Sequence, residues 1–431
     1  MSVICVVGLG YIGLPVAAML ASRDHQVVGY DISESTVNSI NGGRSHFFEP
    51  DLDMLLSAAV SIGRLKAQSV PCAADYFIIA VPTPVDGGGS RPDLSHVEAA
   101  AASIAPCLKS GATVIIESTV PVGTTENVRD QLAALRPDLN FPHYNEDALR
   151  SDVGVAHCPE RILPGRMLRE LTTNDRIIGG MTNDCAAAAK ALYDSFVTAN
   201  CFLTDCRTAE LVKLAENSYR DVNIAFANEL SLICERLDVD VWKTIELANR
   251  HPRVSILRPG AGVGGHCIAV DPWFIVDSAP DEARLIRLAR EVNDTKPRRI
   301  HEQIVRNASR FKSPVIGCFG LAYKPDVGDL RGSPALDIVT ALAKQDGFRI
   351  LVCEPMIDSL PAELSGLSNV SLAGIDDAIA RSDIVAFLVG HRAFQHLSPA
   401  QLADKVVVDA IGLMSQPAIS RGRIQPGMNS E

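Results

Sequence analysis

No apolar run in this chain reaches the roughly 18 residues that would suggest a membrane-spanning helix. The opening "MSVICVVGLG" has no basic leader and no small-residue cleavage site. No signal peptide is therefore expected, and the cytoplasm is the expected compartment. Long basic blocks are missing too, and the formal net charge is -11. That argues against nucleic acid as the main partner and leaves any anionic ligand to be met by locally gathered arginines and lysines. The eleven cysteines are scattered singly, and the closest pair, Cys201 and Cys206, lacks C-x-x-C spacing. No Cys/His cluster has zinc-ligand spacing, so neither a disulfide framework nor a metal is expected. What remains is a soluble globular composition, 47% hydrophobic and 21% charged over 431 residues. That length calls for two or three domains.

The chain opens as strand, glycine loop, helix, strand. "VICVV" (3–7) is a short apolar run, "GLGYIG" (8–13) follows at once, and "LPVAAMLASR" (14–23) has helical spacing. "QVVGYD" (26–31) is a second strand ending in an acid. A G-x-G-x-x-G pattern alone says little. Here it follows a strand, opens a helix and precedes an acid, Asp31, by about 20 residues, which is the full context of a dinucleotide site. Gly8 and Gly10 let the backbone approach a pyrophosphate at the helix N-terminus, with Tyr11 and Ile12 in the same loop; Gly13 lets the helix pack on the strand. A carboxylate at Asp31 accepts hydrogen bonds from a ribose 2′-hydroxyl and repels a 2′-phosphate. Ile32 and Ser33 offer no cation to offset that repulsion, so NAD is expected rather than NADP.

Two further runs, "YFIIAVPTP" (76–84) and "ATVIIESTVPVGTT" (112–125), break into Thr, Pro and Gly. In an open parallel sheet, ligands lie beyond the carboxyl ends of strands, which places Thr83 and Thr119 on the cofactor side. Ordinary turn threonines fit the same pattern. A long helical pattern covers 207–237, and in it Lys213, Asn217 and Arg220 fall on one face; such a face is either solvated or a site. More helix is expected near 240–250 and through "ARLIRLAREVND" (283–294). Between them, "GAGVGGHCIAVDP" (260–272) sets four glycines ahead of Cys267. Either the backbone passes close to a ligand there, or the thiol ends up buried by chance.

The α/β pattern then restarts. "SPVIGCFG" is a strand, "ALDIVTALAKQ" (335–345) a helix, and "FRILVCEP" (348–355), "DIVAFLVG" (383–390) and "VVVDAIG" (406–412) three further strands. Lacking the glycine fingerprint, this sheet is expected to hold a nucleotide-like ligand or to pack as a scaffold. Domain boundaries are expected near 200 and 305, giving segments 1–200, 201–304 and 305–431.

Seven motifs in order, "GLGYIGLPVA", "VPTP", "ESTVPVGTT", "CPERILPG", "AELVKLAENSYRDVNIAFANEL", "GVGGHCIAVDPWFIV" and "GLAYKPDVGDLRGSPA", resemble the nucleotide-sugar 6-dehydrogenases, the family of UDP-glucose dehydrogenase. The form "NRHPRVSILRPGAGVGGHCIAVDPWFIV" looks most like the branch acting on UDP-N-acetyl-mannosamine. UDP-glucose enzymes usually carry G-G-S-C at the thiol. The resemblance implies an α/β fold of two Rossmann-like doubly wound domains joined by a long central helix. It also implies a homodimer whose substrate pocket borrows residues from both chains. Two departures stand out: Gly332 where glutamate is common, and Ile411 where relatives often carry lysine.

What the resemblance implies chemically is a four-electron oxidation of a UDP-sugar at C6, from alcohol to acid, in the supply of surface-polysaccharide precursors. A thiolate at Cys267 would add to the intermediate aldehyde as a thiohemiacetal and then become a thioester that water hydrolyses. Lys213 would stabilise the oxyanions, with Asn217 one turn on holding the water or oxyanion. Glu160 would activate the hydrolytic water, with Thr119 adding a hydroxyl to the same water network. Asp271 would orient Lys213 or a water, unless it only bonds local backbone. Arg161, Ile162, Arg220, His251, Arg253, Gly260, Gly264, Tyr323 and Lys324, with Lys213 and Asn217, would line the UDP-sugar site, and Arg331 would meet NAD. UDP-N-acetylglucosamine or UDP-glucose remain alternative substrates, and a non-catalytic NAD-binding sensor or scaffold or a one-step hydroxyacid dehydrogenase the rivals of other kinds.

Overall fold

The computed structural model describes residues 1–86, 91–146 and 151–415. The chain packs as two compact units, one of residues 1–216 and 273–280, the other of 217–272 and 281 onward.

The first unit is built on eight strands: β1 (Val3–Val7), β2 (Gln26–Tyr30), β3 (Leu65–Gln68), β4 (Tyr76–Ile79), β5 (Thr113–Ile116), β6 (Gly154–His157), β7 (Arg176–Gly180) and β8 (Cys201–Asp205). Their order is β3-β2-β1-β4-β5-β6-β7-β8, and its first six strands follow the dinucleotide-binding arrangement. Alternation along β1 sends Ile4 and Val6 into one core and Cys5 and Val7 into another, which is why both faces are apolar and the strand reads as an unbroken run. The register aligns Val7 with Tyr30 and with Ile79. The loops carrying Gly8, Asp31 and Thr83 therefore leave the sheet at one end. One neighbouring pair departs from the parallel run: β6 and β7 pair antiparallel.

The second unit holds β9 (Val315–Phe319), β10 (Arg349–Cys353), β11 (Val370–Leu372), β12 (Ile384–Phe387) and β13 (Val406–Asp409), in the order β11-β10-β9-β12-β13 and all parallel. The edge strand β11 was not expected; with three residues, two of them exposed, it leaves no apolar run to read. The helix expected over 283–294 instead spans Arg284–Ala308 and passes through Pro297. An interior proline costs about 3 kcal/mol, but Ile300, Ile304 and Ala308 beyond it are buried in the unit's core, and that burial carries the helix on.

This unit repeats the opening of the first. Gly320 follows β9 with φ +94° and donates to the Cys353 carbonyl at 2.9 Å, as Gly8 follows β1 with φ +89° and donates to Tyr30 at 2.8 Å. Glu354 takes the place of Asp31, but it is buried and saturated. It accepts from the N–H groups of Leu321, Ala322 and Met356 and from His391 Nε2. Its acceptors are turned inward to hold the Leu321–Ala322 backbone, so Glu354 does not offer a ribose hydroxyl the acceptor that Asp31 does.

Candidate active site

In the first unit the glycine loop meets three different constraints. A Cβ on Gly8 would lie 2.6 Å from the Ala80 carbonyl oxygen, and one on Gly13 would strike the Gly8 carbonyl. Those two glycines serve the packing of loop, helix and β4. A Cβ on Gly10 would meet no protein atom within 4 Å, so protein packing does not demand glycine there, whereas a pyrophosphate lying against the backbone would. The helix Gly13–Ser22 starts at Ile12 without a side-chain cap, leaving first-turn N–H groups for an anion. Tyr11 stacks on Phe47 with centroids 4.3 Å apart. Asp31 accepts from Leu9 N–H and Ser33 N–H, one per carboxylate oxygen, both at 2.9 Å. Each oxygen keeps a lone pair for a ribose hydroxyl. These residues fit NAD. The expected result is a kcat/KM at least about tenfold higher with NAD than with NADP, since a like-charge encounter costs about 1.4 kcal/mol or more; equal values would contradict this role of Asp31.

Thr83 and Thr119 come together, the Thr83 hydroxyl donating to the Thr119 carbonyl at 2.7 Å. The loop after Thr119 leads into the helix Thr124–Leu135, whose N-terminus is capped from outside. Glu210, on the long helix Cys206–Leu237, accepts from Gly123 N–H, Thr125 N–H and the Thr125 hydroxyl at 2.6–2.7 Å. Burial pushes the Glu210 carboxyl up to about 7. Three residues on, Lys213 is half-buried, and its charge reaches Glu160. Glu160 is buried and takes hydrogen bonds from the backbone of Arg161 and Ile162. Arg161, expected to line the UDP-sugar site, turns its guanidinium to Glu216 at 2.7 Å and to the Asp175 carbonyl at 3.0 Å.

In the second unit Cys267 is exposed, so it is not buried by chance. Its carbonyl accepts from Val270 N–H and Asp271 N–H. Buried Asp271 accepts from Asn217 Nδ2 at 2.5 Å. Asp271 thus orients the Asn217 amide. The glycines before the thiol answer mainly to packing. A Cβ on Gly262 would lie 2.8 Å from Pro334, one on Gly264 2.5 Å from the Gly332 carbonyl, and one on Gly265 3.0 Å from the Tyr323 ring. Gly332 has φ +59° and accepts from Gly265 N–H, so the residue standing in place of the usual glutamate makes the turn that receives this loop.

Behind the loop runs a buried polar chain that sequence reading missed. Gly260 N–H donates to Asn228 Oδ1, Asn228 Nδ2 to Asn293 Oδ1, and Asn293 Nδ2 to Asp221 Oδ1, at 2.8–2.9 Å. Arg290 Nη1 donates to Asp221 at 2.6 Å and reaches the Ile268 carbonyl, and its Nη2 bonds Asp294. The signal was present in the sequence: Arg290, Asn293 and Lys296 occupy the buried stripe of the Arg284–Ala308 helix alongside Ala289, Ile300 and Ile304.

A cavity of about 360 Å³ lies in the same unit, lined by Gly260, Tyr323, Lys324, Arg258, Gln395 and Ile411 among others. Lys324 Nζ sits 5.4 Å from the Tyr323 ring centroid. Arg258 was not singled out from sequence. It stacks over Trp242 at 5.0 Å and donates to the Gly412 carbonyl at 3.1 Å, bringing a cation to the wall where Ile411 removes one. Arg220, His251 and Arg253 are exposed, and Arg331 makes a two-pronged pair with Asp329 at 2.7 and 2.9 Å. Among the described residues, no group of His, Cys, Asp and Glu could hold a metal ion, and no helix is long and apolar enough to cross a membrane.

Three models of the UDP-glucose/GDP-mannose dehydrogenase family match in succession: the NAD binding domain over residues 2–197, the central domain over 207–295 and the UDP binding domain over 317–416. The NDP-N-acetyl-D-galactosaminuronic acid dehydrogenase of Ralstonia nicotianae is 57% identical over 417 residues, covering 97% of each chain. The UDP-N-acetyl-D-mannosamine dehydrogenase of Campylobacter jejuni is 54% identical over 404 residues, 94% of this chain and 98% of that one. Among solved structures, the UDP-D-ManNAc dehydrogenase of Pyrococcus horikoshii superposes with a TM-score of 0.83 at 37% identity, covering 98% of both chains.

Proposed function

The chain belongs to the UDP-glucose/GDP-mannose dehydrogenase family, and from that premise we propose that it oxidises UDP-N-acetyl-D-mannosamine at C6 to the uronate, in four electrons, through a covalent adduct on Cys267. The observation that carries this is the exposed thiol at the head of the Asp271–Ser278 helix, its loop fixed by hydrogen bonds and Asn217 aimed by Asp271. NAD is the cofactor of the family and supplies the hydride acceptor for both oxidations. Lys213 offers an ammonium to the oxyanion of each step. Cys267 adds to the aldehyde and retains it, because a thiolate is the stronger nucleophile at neutral pH and its ester the more readily hydrolysed. Glu160 takes the proton of the hydrolytic water. We assign NAD to residues 1–200, the central helices to 201–304 and the UDP-sugar to 305–431, and place the enzyme in the cytoplasm, supplying surface-polysaccharide precursors.

A second reading of the sugar has its own support: the Ralstonia relative at 57% identity is named for an N-acetyl-D-galactosaminuronic acid. One experiment tests both. NADH formation is set against chromatographic loss of each UDP-sugar across the N-acetylmannosamine, N-acetylgalactosamine, N-acetylglucosamine and glucose forms. The expected result is two NADH per sugar consumed and preference for the N-acetylmannosamine form. A ratio near one, with aldehyde trapped by a hydrazine reagent, would remove the covalent mechanism; preference for the galacto form would select the second reading.

We also propose a homodimer. Tyr219, Phe226 and Ile233 are exposed at seven-residue spacing on the long helix, with Leu237 beyond and Leu285 and Leu288 on the Arg284–Ala308 helix. Such a stripe is costly to leave in water. Phe226→Asp is expected to yield a monomer in sedimentation analysis and to lose activity, because the substrate pocket is read as borrowing residues from both chains. A wild-type chain that sediments as a monomer would sink this.

A further inference from the structure

The antiparallel pair in the first sheet brings a cation where an all-parallel order would not. β6 and β7 pair Ala156 with Gly180 and His157 with Gly179. Because the pair is antiparallel, Arg176, the first residue of β7, lies toward the end of β6 that leads to Glu160, and the two charges act on each other. Both are inside the protein, Arg176 at 1% exposure and Glu160 at 6%. Glu117, the residue after β5, meets the same guanidinium: its Oε1 lies 3.9 Å from Arg176 Nη1 and accepts from the Tyr193 hydroxyl at 2.7 Å. The Tyr193 ring lies 5.4 Å from the guanidinium carbon. Nε, Nη1 and Nη2 of Arg176 find no hydrogen-bond acceptor among the described residues. The side chain therefore acts as a fixed charge rather than as a clamp, and a buried charge persists only when others balance it.

Glu160 is the group this charge serves. Its Oε1 has no hydrogen-bond partner among the described residues, while the N–H groups of Arg161 and Ile162 donate to the carboxylate. Burial pushes its carboxyl up, and the charges of Arg176 and Lys213 draw it back. Around them, burial raises Glu117 to about 7, lowers His157 to about 3 and raises Cys158 to about 12. His157 and Cys158 are thus neutral, and the Arg161 charge nearby is spent on Glu216. Arg176 and Lys213 are the cations left to oppose desolvation of Glu160.

We propose that Arg176 is the positioning residue of the hydrolytic step: brought toward Glu160 by the antiparallel run of β7 and anchored by Glu117 and Tyr193, it keeps the Glu160 carboxylate charged and ready to take a proton from water. The proposal rests on the reading of Glu160 as that base. In the step, the water oxygen bonds to the thioester carbonyl carbon and one water proton passes to Glu160. The carbon–sulfur bond breaks with its electron pair leaving on Cys267, and the acid sheds its remaining proton to solvent.

The test follows decay of the covalent Cys267 adduct by intact-protein mass, against pH, after the full chain has been loaded with NAD and the UDP-sugar it turns over. Wild-type decay slows as pH falls and Glu160 takes up a proton. Arg176→Gln is expected to move that acid limb up by about one pH unit or more, and Arg176→Lys to return it. A purely structural role would lower stability without moving the limb, so an unmoved limb in Arg176→Gln overturns the proposal. Should that variant be insoluble, Glu117→Gln carries the test. It strips the competing carboxylate from the same guanidinium, so the limb must hold or move down, and a rise overturns the proposal. Glu160→Gln separates the two readings. Slow decay without an acid limb upholds the base, and the position of the limb in Arg176→Gln then decides the inference. A wild-type limb in Glu160→Gln removes the base reading and this inference with it.

Discussion

Cys267→Ser is expected to abolish conversion to the acid, by on the order of a thousandfold or more, the scale on which removing a nucleophile acts. NAD affinity should be nearly unchanged, because the glycine loop and Asp31 belong to the first compact unit and Cys267 to the second. A hydroxyl in the same place is protonated at neutral pH and adds poorly to an aldehyde, and any ester it formed would be slow to hydrolyse. The first oxidation needs no thiol. The variant should therefore release at most one NADH per sugar, with aldehyde trapped by hydrazine, whereas the wild type gives two and nothing to trap. Calorimetry with NAD alone completes the measurement. Steady-state activity of Cys267→Ser equal to the wild type would end the covalent reading, and a large loss of NAD affinity would mean the substitution disturbs more than the reacting atom.

The second large effect lies behind the thiol loop. Arg290 and Asp221 form an ion pair at 2.6 Å with side chains 1% and 0% exposed. Arg290→Met keeps the length and apolar stem but leaves the Asp221 carboxylate buried with Asn293 as its remaining side-chain donor. Breaking one side of such a pair costs about 3–5 kcal/mol. The thermal midpoint should fall by roughly 10 °C. Because Arg290 also reaches the Ile268 carbonyl beside Cys267, turnover at a temperature where the variant is folded should fall as well. Asp221→Asn combined with Arg290→Met should recover part of the stability, since no buried charge is then left alone. A midpoint within about 2 °C of wild type for Arg290→Met would show that the pair contributes no more than a surface contact.

Much of this molecule is local in sequence. β1, the glycine loop, the helix Gly13–Ser22 and Asp31 stand within 31 residues. Their apolar runs, glycine spacing and terminal acid are dictated by backbone sterics and strand period, so the dinucleotide site is legible without a fold. The same holds for the long helix carrying Lys213 and Asn217, and for the glycine-rich approach to Cys267. Other features depend on partners distant in the chain. Whether β7 runs with or against β6 is not written in "DRIIGG", yet that direction decides which end of β6 Arg176 lies toward. Gly262, Gly264 and Gly265 suggest approach to a ligand when met in sequence; the structure shows them receiving Pro334, Gly332 and Tyr323. Asp271 finds Asn217, 54 residues away, and Arg258 reaches the cavity wall only because its guanidinium stacks on Trp242 and bonds Gly412. The sequence by itself determined the α/β class, the glycine loop that opens the NAD-binding domain and the glycine-rich approach to Cys267, because short-range sterics and periodicity select them. Only the tertiary structure decided which charges share a buried space, because that depends on strand direction and on side chains meeting across elements far apart in the chain.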